Sequence, residues 1–203
     1  MDNLAPTTSR RALLGALTTV PTAAMTMPVI APTHSALAAL WKAHDDEPVT
    51  LLRTREGRSL SLHRYWTAQD FFPERDSPSH GSRNDFFYRA GITAQLGLAS
   101  HLLDVGFPDA WVARHIGLRV AKALAYANAT GFGHERPDMA RLAQVLTPYW
   151  KWNRPRLFDE PVPDDGGFSP EDVRDLLHAL LNRVAQVTGH GAKRGRQNHG
   201  ERS

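Results

Sequence analysis

The chain has 203 residues, 41% of them hydrophobic and 22% charged, which suits one domain with a buried core and excludes a disordered chain. It contains no cysteine, so disulfides, thiolate metal sites, c-type haem attachment and lipoprotein anchoring are excluded. The formal charge of +3 resides at the two ends: residues 39–188 carry 18 basic and 19 acidic side chains, and this neutral body lacks the positive footprint that nucleic-acid binding needs.

Residues 1–38 read as one unit. Ser9-Arg10-Arg11-Ala12-Leu13-Leu14 opens a run with no formally charged side chain until Lys42. Ala36-Leu37-Ala38 closes it with the small–any–small spacing of a signal cleavage site. The hexapeptide resembles the bacterial twin-arginine export signal, in which Ser or Thr and two arginines precede any residue and two apolar ones. Gly15 stands where that family often has lysine. The resemblance covers about a fifth of the chain. It implies that Ser9, Arg10, Arg11, Leu13 and Leu14 are read by the twin-arginine translocation machinery, that the chain is cut after Ala38, and that the product is periplasmic or secreted. Four threonines (Thr18, Thr19, Thr22, Thr26), Pro21 and Pro28 interrupt the run, so no stable membrane span is expected.

After the expected cut, residues 39–44 open a short helix that Asp45-Asp46-Glu47-Pro48 stops. Two apolar stretches, residues 49–53 and 59–63, flank Glu56-Gly57 and predict a short N-terminal β-hairpin over residues 49–64. Residues 73–85 are polar and read as a loop. From Asp85 the period becomes helical: Phe87, Ala90, Ala94, Leu98, Leu102 and Val105 share a stripe, and Gly106 stands at the C-cap. Pro108 and Asp109 open the next helix, with Val112, Ile116, Val120, Ala123 and Ala127 on one face until Gly131-Phe132-Gly133. Pro137 and Asp138 start a third, with Met139, Leu142, Val145 and Leu146 inward and Pro148 closing it.

The last helix carries the clearest signals. Ser169 is its N-cap, Pro170 its first residue, Asp172 completes a capping box, and Gly189 ends it. Val173, Leu176, Leu177, Leu180, Leu181, Val184 and Val187 form an unbroken apolar stripe that other helices must cover. The sequence thus predicts a mainly α protein, a small bundle of about four helices over residues 39–188, followed by a disordered basic tail over residues 189–203.

Three segments have functional readings. Ala113 and Gly117, between apolar positions, resemble the core of a helix-turn-helix motif, whose second helix would carry Arg119 and Lys122 into a DNA groove. Against this, the stripe from Val112 runs through Gly117 in phase, which favours one continuous amphipathic helix. His134 and Glu135, beside glycines, offer an acid–base pair on which His101, His115 and Asp104 from neighbouring helices could converge. Tyr149-Trp150-Lys151-Trp152-Asn153-Arg154-Pro155-Arg156 sets aromatics among cations and suits either a stacked ligand or packing over the core. No histidine pair has helical zinc spacing and no cofactor motif is present, so no metal or cofactor is expected. The expectation is an exported helical binding or interaction module. The alternatives are a cytoplasmic helix-turn-helix DNA-binding protein and an enzyme using His134 and Glu135.

Overall fold

The computed structural model describes residues 31–73, 83–153 and 163–191. The twin-arginine residues Ser9, Arg10, Arg11, Leu13 and Leu14 lie outside the described residues, as do 192–203 of the basic tail. The fold is all-helical, with seven α-helices and no strand among the described residues. In chain order these are α1 (Ala31–His44), α2 (Arg55–Asp70), α3 (Arg83–Val105), α4 (Asp109–Trp111), α5 (Val120–Ala129), α6 (Pro137–Leu146) and α7 (Pro170–Thr188). A π-helical turn, Val112–Ile116, continues α4, and a 3₁₀ turn, Tyr149–Asn153, follows α6. No helix among the described residues is long and apolar enough to cross a membrane.

Three expected helices form where their caps demand. At the end of α3, Gly106 takes φ +112°, and its N–H and that of Phe107 bond the carbonyls of Leu103 and Leu102, the paired bonds of a Schellman cap. α6 begins at Pro137 and buries Met139, Leu142, Ala143 and Leu146. α7 has the full capping box between Ser169 and Asp172 and a left-handed C-cap at Gly189.

Two expectations are corrected. The hairpin over residues 49–64 is absent, because Thr54 caps a helix there: its Oγ1 accepts the Gly57 N–H at 2.9 Å. Gly57 lies in the first turn of α2, where a Cβ would come within 3.4 Å of the Leu103 carbonyl of α3. The inward face of α2 is Ser61, Tyr65 and Ala68, small or polar enough that the helical period is masked by Leu60 and Leu62 beside it. The continuous helix through Gly117 is the second correction. An i→i+5 bond from Gly117 N–H to the Val112 carbonyl (2.9 Å) closes the π turn. Gly117 then turns the chain at φ +56°, ψ −127°, a conformation available essentially to glycine. The apolar stripe keeps its apparent phase across two separate helices, and the bundle has seven helices where about four were expected.

The centre of the molecule is α3. From Ala90 to Asp104 nearly every residue is buried, and α2, α5, α6, α7 and the 3₁₀ turn all pack against it. Close approach is permitted by Gly91, over which Tyr149 lies, and by Gly97, which faces Leu180 and Leu181 of α7. The expected α7 stripe covers this side of α3; Val173, Leu177, Leu180 and Val184 are fully buried, while Val187 is half-buried. Leu177→Ala and Leu180→Ala should therefore each cost about 2–5 kcal/mol, the usual range where a large core side chain leaves a cavity. Urea denaturation of the two variants checks this; stability within about 0.5 kcal/mol of wild type would place α7 outside the core.

Candidate functional site

Buried polar groups collect in three places around this core. The first is the segment after α1, which Asp45 turns at φ +53°. It buries Asp46, whose Oδ1 receives Lys122 Nζ at 2.7 Å and Oδ2 the Tyr126 hydroxyl at 2.5 Å. His115 Nδ1 lies 3.3 Å from Oδ1, the His115 ring stacks on Trp111 at 4.7 Å, and Trp111 Nε1 donates to the Glu47 carbonyl at 2.8 Å. Burial alone would raise the Asp46 pKa. The bonds from Lys122 and Tyr126 and the lysine charge outweigh it and hold the carboxyl below its ordinary value. Burial, and then the Asp46 carboxylate, push the Tyr126 phenol up. Every member is paired within the cluster, so its chemistry is that of a fixed ion pair clamping the end of α1 to α5.

The break at Gly117 is present, but α5 beyond it is interior: Val120, Lys122, Ala123, Leu124, Tyr126 and Ala127 are buried. Lys122 points inward to Asp46, and Arg119 donates to the carbonyls of Ile116 and His115.

The second place is the junction of α2, α3 and the residues after α7. Ser61 Oγ donates to the Ser100 carbonyl at 2.7 Å and lies 2.7 Å from His190 Nε2 and 3.1 Å from Ser100 Oγ. With its proton on the carbonyl, the hydroxyl accepts from His190, so the imidazole is donor and not base. Ser61 is also fully buried. The pair therefore ties down the segment after α7 instead of forming a nucleophile, and Trp66 Nε1 adds a bond to the Gly191 carbonyl at 3.3 Å. Packed structure thus continues past α7 to His190, in the segment read from sequence as tail.

The third place contains His101 and His134, which flank the buried Phe132 ring at 5.2 and 5.9 Å. Of the residues expected to converge on the Gly131–Gly133 loop, only His101 comes near. His115 belongs to the Asp46 cluster, and Asp104 faces Arg53 and Arg58 at 3.5 and 3.9 Å. Glu135 is exposed. The loop is held by Asn128, which accepts the His134 N–H and donates to the His134 carbonyl, and by Arg183, which donates to the Phe132 carbonyl. The aromatic segment after α6 packs over α3: Trp152 stacks on Phe87 at 4.7 Å and Tyr149 is buried, while Arg154 and Arg156 lie outside the described residues. Among the described residues no group of three His, Asp or Glu side chains is arranged to hold a metal ion.

Beside the π turn lies an open cleft of about 280 Å³. Its apolar lining is Ala99 of α3, Val112 and Ala113 of the π turn, and Leu118, which is 46% exposed. Its polar lining is Arg64, Gln95 and Asp109; Arg64 Nη2 meets Asp109 Oδ1 at 3.4 Å, and Gln95 Nε2 donates to the Gly117 carbonyl at 3.4 Å. No family model, no curated protein and no solved structure matches this chain. Neither the cleft nor the Asp46 cluster follows from sequence spacing, since each joins residues from three or more separate segments. The Ala113–Gly117 spacing was the one local signal of a turn at the cleft.

His101 gives a pH signature. Thr130 Oγ1 lies within 3.0 Å of the Tyr126 and Ala127 carbonyls and gives its proton there, so His101 Nε2 donates to it at 3.1 Å and Nδ1 is left without a partner. Burial chiefly, then the charges of Arg53 and Arg183, lower the His101 pKa to about 4 from 6.5. The unfolded chain then binds a proton that the folded one refuses, so stability is complete above pH 6.5 and is lost as pH falls toward 4. Between pH 7 and 5 the loss is about 2 kcal/mol. Burial lowers the pKa of His134 and His190 as well, adding in the same direction. Urea unfolding at both pH values should give this difference, reduced in His101→Gln; equal stability at pH 7 and 5 would contradict the buried neutral imidazole.

Proposed function

We propose that the protein is an exported binding module whose ligand site is the cleft between α2, α3 and the π turn. The export half rests on the twin-arginine pattern at Ser9, Arg10, Arg11, Leu13 and Leu14 and on the uncharged run after it. The observation that carries the binding half is the cleft itself. It combines a wall of Ala99, Val112, Ala113 and Leu118 with a loose Arg64–Asp109 pair. A π-helical insertion of this kind is frequent at functional sites, because it breaks the regular bonding of a helix to reposition backbone and side chains.

The chemistry of the lining selects the ligand class. Arg64 and Asp109 are each more than a third exposed and share one contact at 3.4 Å. Such pairs are worth about 0–1 kcal/mol, so exchanging each partner for a ligand's carboxylate and ammonium costs little. The volume, about 280 Å³, lies at the small end of ligand pockets. A small zwitterion with an apolar body fits both facts: an apolar amino acid or the end of a short peptide, its carboxylate on Arg64, its ammonium on Asp109, and its side chain against Val112 and Leu118.

Titration of the ¹⁵N-labelled full chain with leucine, N-acetyl-leucine and leucinamide tests this. Leucine should shift the amides of Ala99, Ala113, Gly117 and Leu118, the two half-charged analogues should bind more weakly, and Arg64→Gln should remove the response. Absence of shifts at these amides at millimolar leucine contradicts the assignment.

A further inference from the structure

Ala36 and Ala38, the small residues of the expected cleavage site, are exposed, but Leu37 between them is 2% exposed and belongs to the hydrophobic core. The peptide bond between Ala38 and Ala39 lies in the middle of α1, with helical turns on both sides. Docking continues along the helix. Leu40 and Trp41 pack against the core, the His44 ring meets Tyr126 at 6.2 Å, and Asp46 just beyond is held by Lys122 and Tyr126. Asp46 N–H also caps back to the Trp41 carbonyl at 2.9 Å.

Proteases act on extended, accessible chain; in folded proteins they cut exposed loops and termini or wait for local opening. A helical bond flanked by a core side chain meets neither condition. A cut there would also leave residues 39–44 as a remnant of less than two turns, too short to persist as a helix without the Leu37 contact. A chain exported after folding would present the site in this docked form.

We infer that Leu37 is part of the mature domain: docking of α1 protects the bond between Ala38 and Ala39, and the mature chain begins upstream of it. Protection of the bond stands on the fold alone, whereas the statement about the mature chain also rests on the export reading.

Leu37 occupies the variable position of the small–any–small pattern, so Leu37→Ser undocks α1 without touching Ala36 or Ala38. Purified full-length wild type and Leu37→Ser are digested under native conditions with a protease that cuts after small residues, and the fragments are weighed. Cleavage between Ala38 and Ala39 should be slower in wild type by about tenfold or more, the ratio following the population of the open form; equal rates overturn the inference. Chain recovered from the bacterial periplasm should retain Leu37 by mass, and a product beginning at Ala39 overturns it. Arg10→Lys with Arg11→Lys separates the two readings. Undiminished export of that variant rejects the twin-arginine signal, while the digestion still decides whether α1 is docked.

Discussion

A helix that must be buried on every side governs this fold. α3 is covered by α2, α5, α6, α7 and the 3₁₀ turn, and a helix in that position can accept neighbours only where its side chains are small. The run Ala90-Gly91 and the later Ala94, Gly97 and Ala99 meet that demand; a Cβ at Gly91 would fall 2.1 Å from the Tyr149 Cβ and one at Gly97 2.9 Å from a Leu180 methyl. Larger residues (Phe87, Leu98, Leu102, Leu103) fill the gaps between the surrounding helices, each at 2% exposure or less. The long stripe of α7 is therefore one wall of the α3 site and not an independent centre.

The polar interior follows from the same arrangement. Once α3 and α5 are enclosed, polar groups on them are cut off from water and most find partners inside; His101 Nδ1 and Thr93 Oγ1 of α3 are exceptions. Asp46, Lys122 and Tyr126 satisfy one another at α5, and Ser61, Ser100 and His190 do the same between α2, α3 and the segment after α7. A buried ion pair adds little net stability over an apolar packing of equal shape, but breaking it by removing one partner costs about 3–5 kcal/mol. Its effect is to fix one register: the turn at Asp45 and Asp46 can dock only where Lys122 and Tyr126 face it. That in turn seats Leu37 and sets the path of α1.

Three of the seven helices, α3, α6 and α7, were legible in the sequence because their ends carry local chemistry. Ser169 with Asp172, Pro137, Gly106 and Gly189 each act within a few residues, and α3, α6 and α7 appear close to where those residues place them. α2 was read as a hairpin because its inward face, Ser61, Tyr65 and Ala68, is not apolar enough to display a helical period. Its burial depends on Ser100 and His190, residues far away in the chain. The break at Gly117 was masked because Val112, Ile116, Val120, Ala123 and Ala127 keep helical spacing in the sequence although they belong to the π turn and to α5. Lys122, His115 and Asp46 were each visible as residues; their meeting is a product of tertiary packing, which spacing does not encode.

The enclosure of α3 is tested most directly by Gly91→Ala. Alanine is the better helix former by about 1 kcal/mol, so at a loosely packed site the substitution stabilises. Against the Tyr149 Cβ and Cγ, which sit close to their own backbone and cannot swing away, the added methyl forces the 3₁₀ turn off α3. Overpacking of this kind costs about 1–3 kcal/mol, so equilibrium urea denaturation should show net destabilisation of that order. A Gly91→Ala protein as stable as wild type, or more so, would mean that α3 is not enclosed as described.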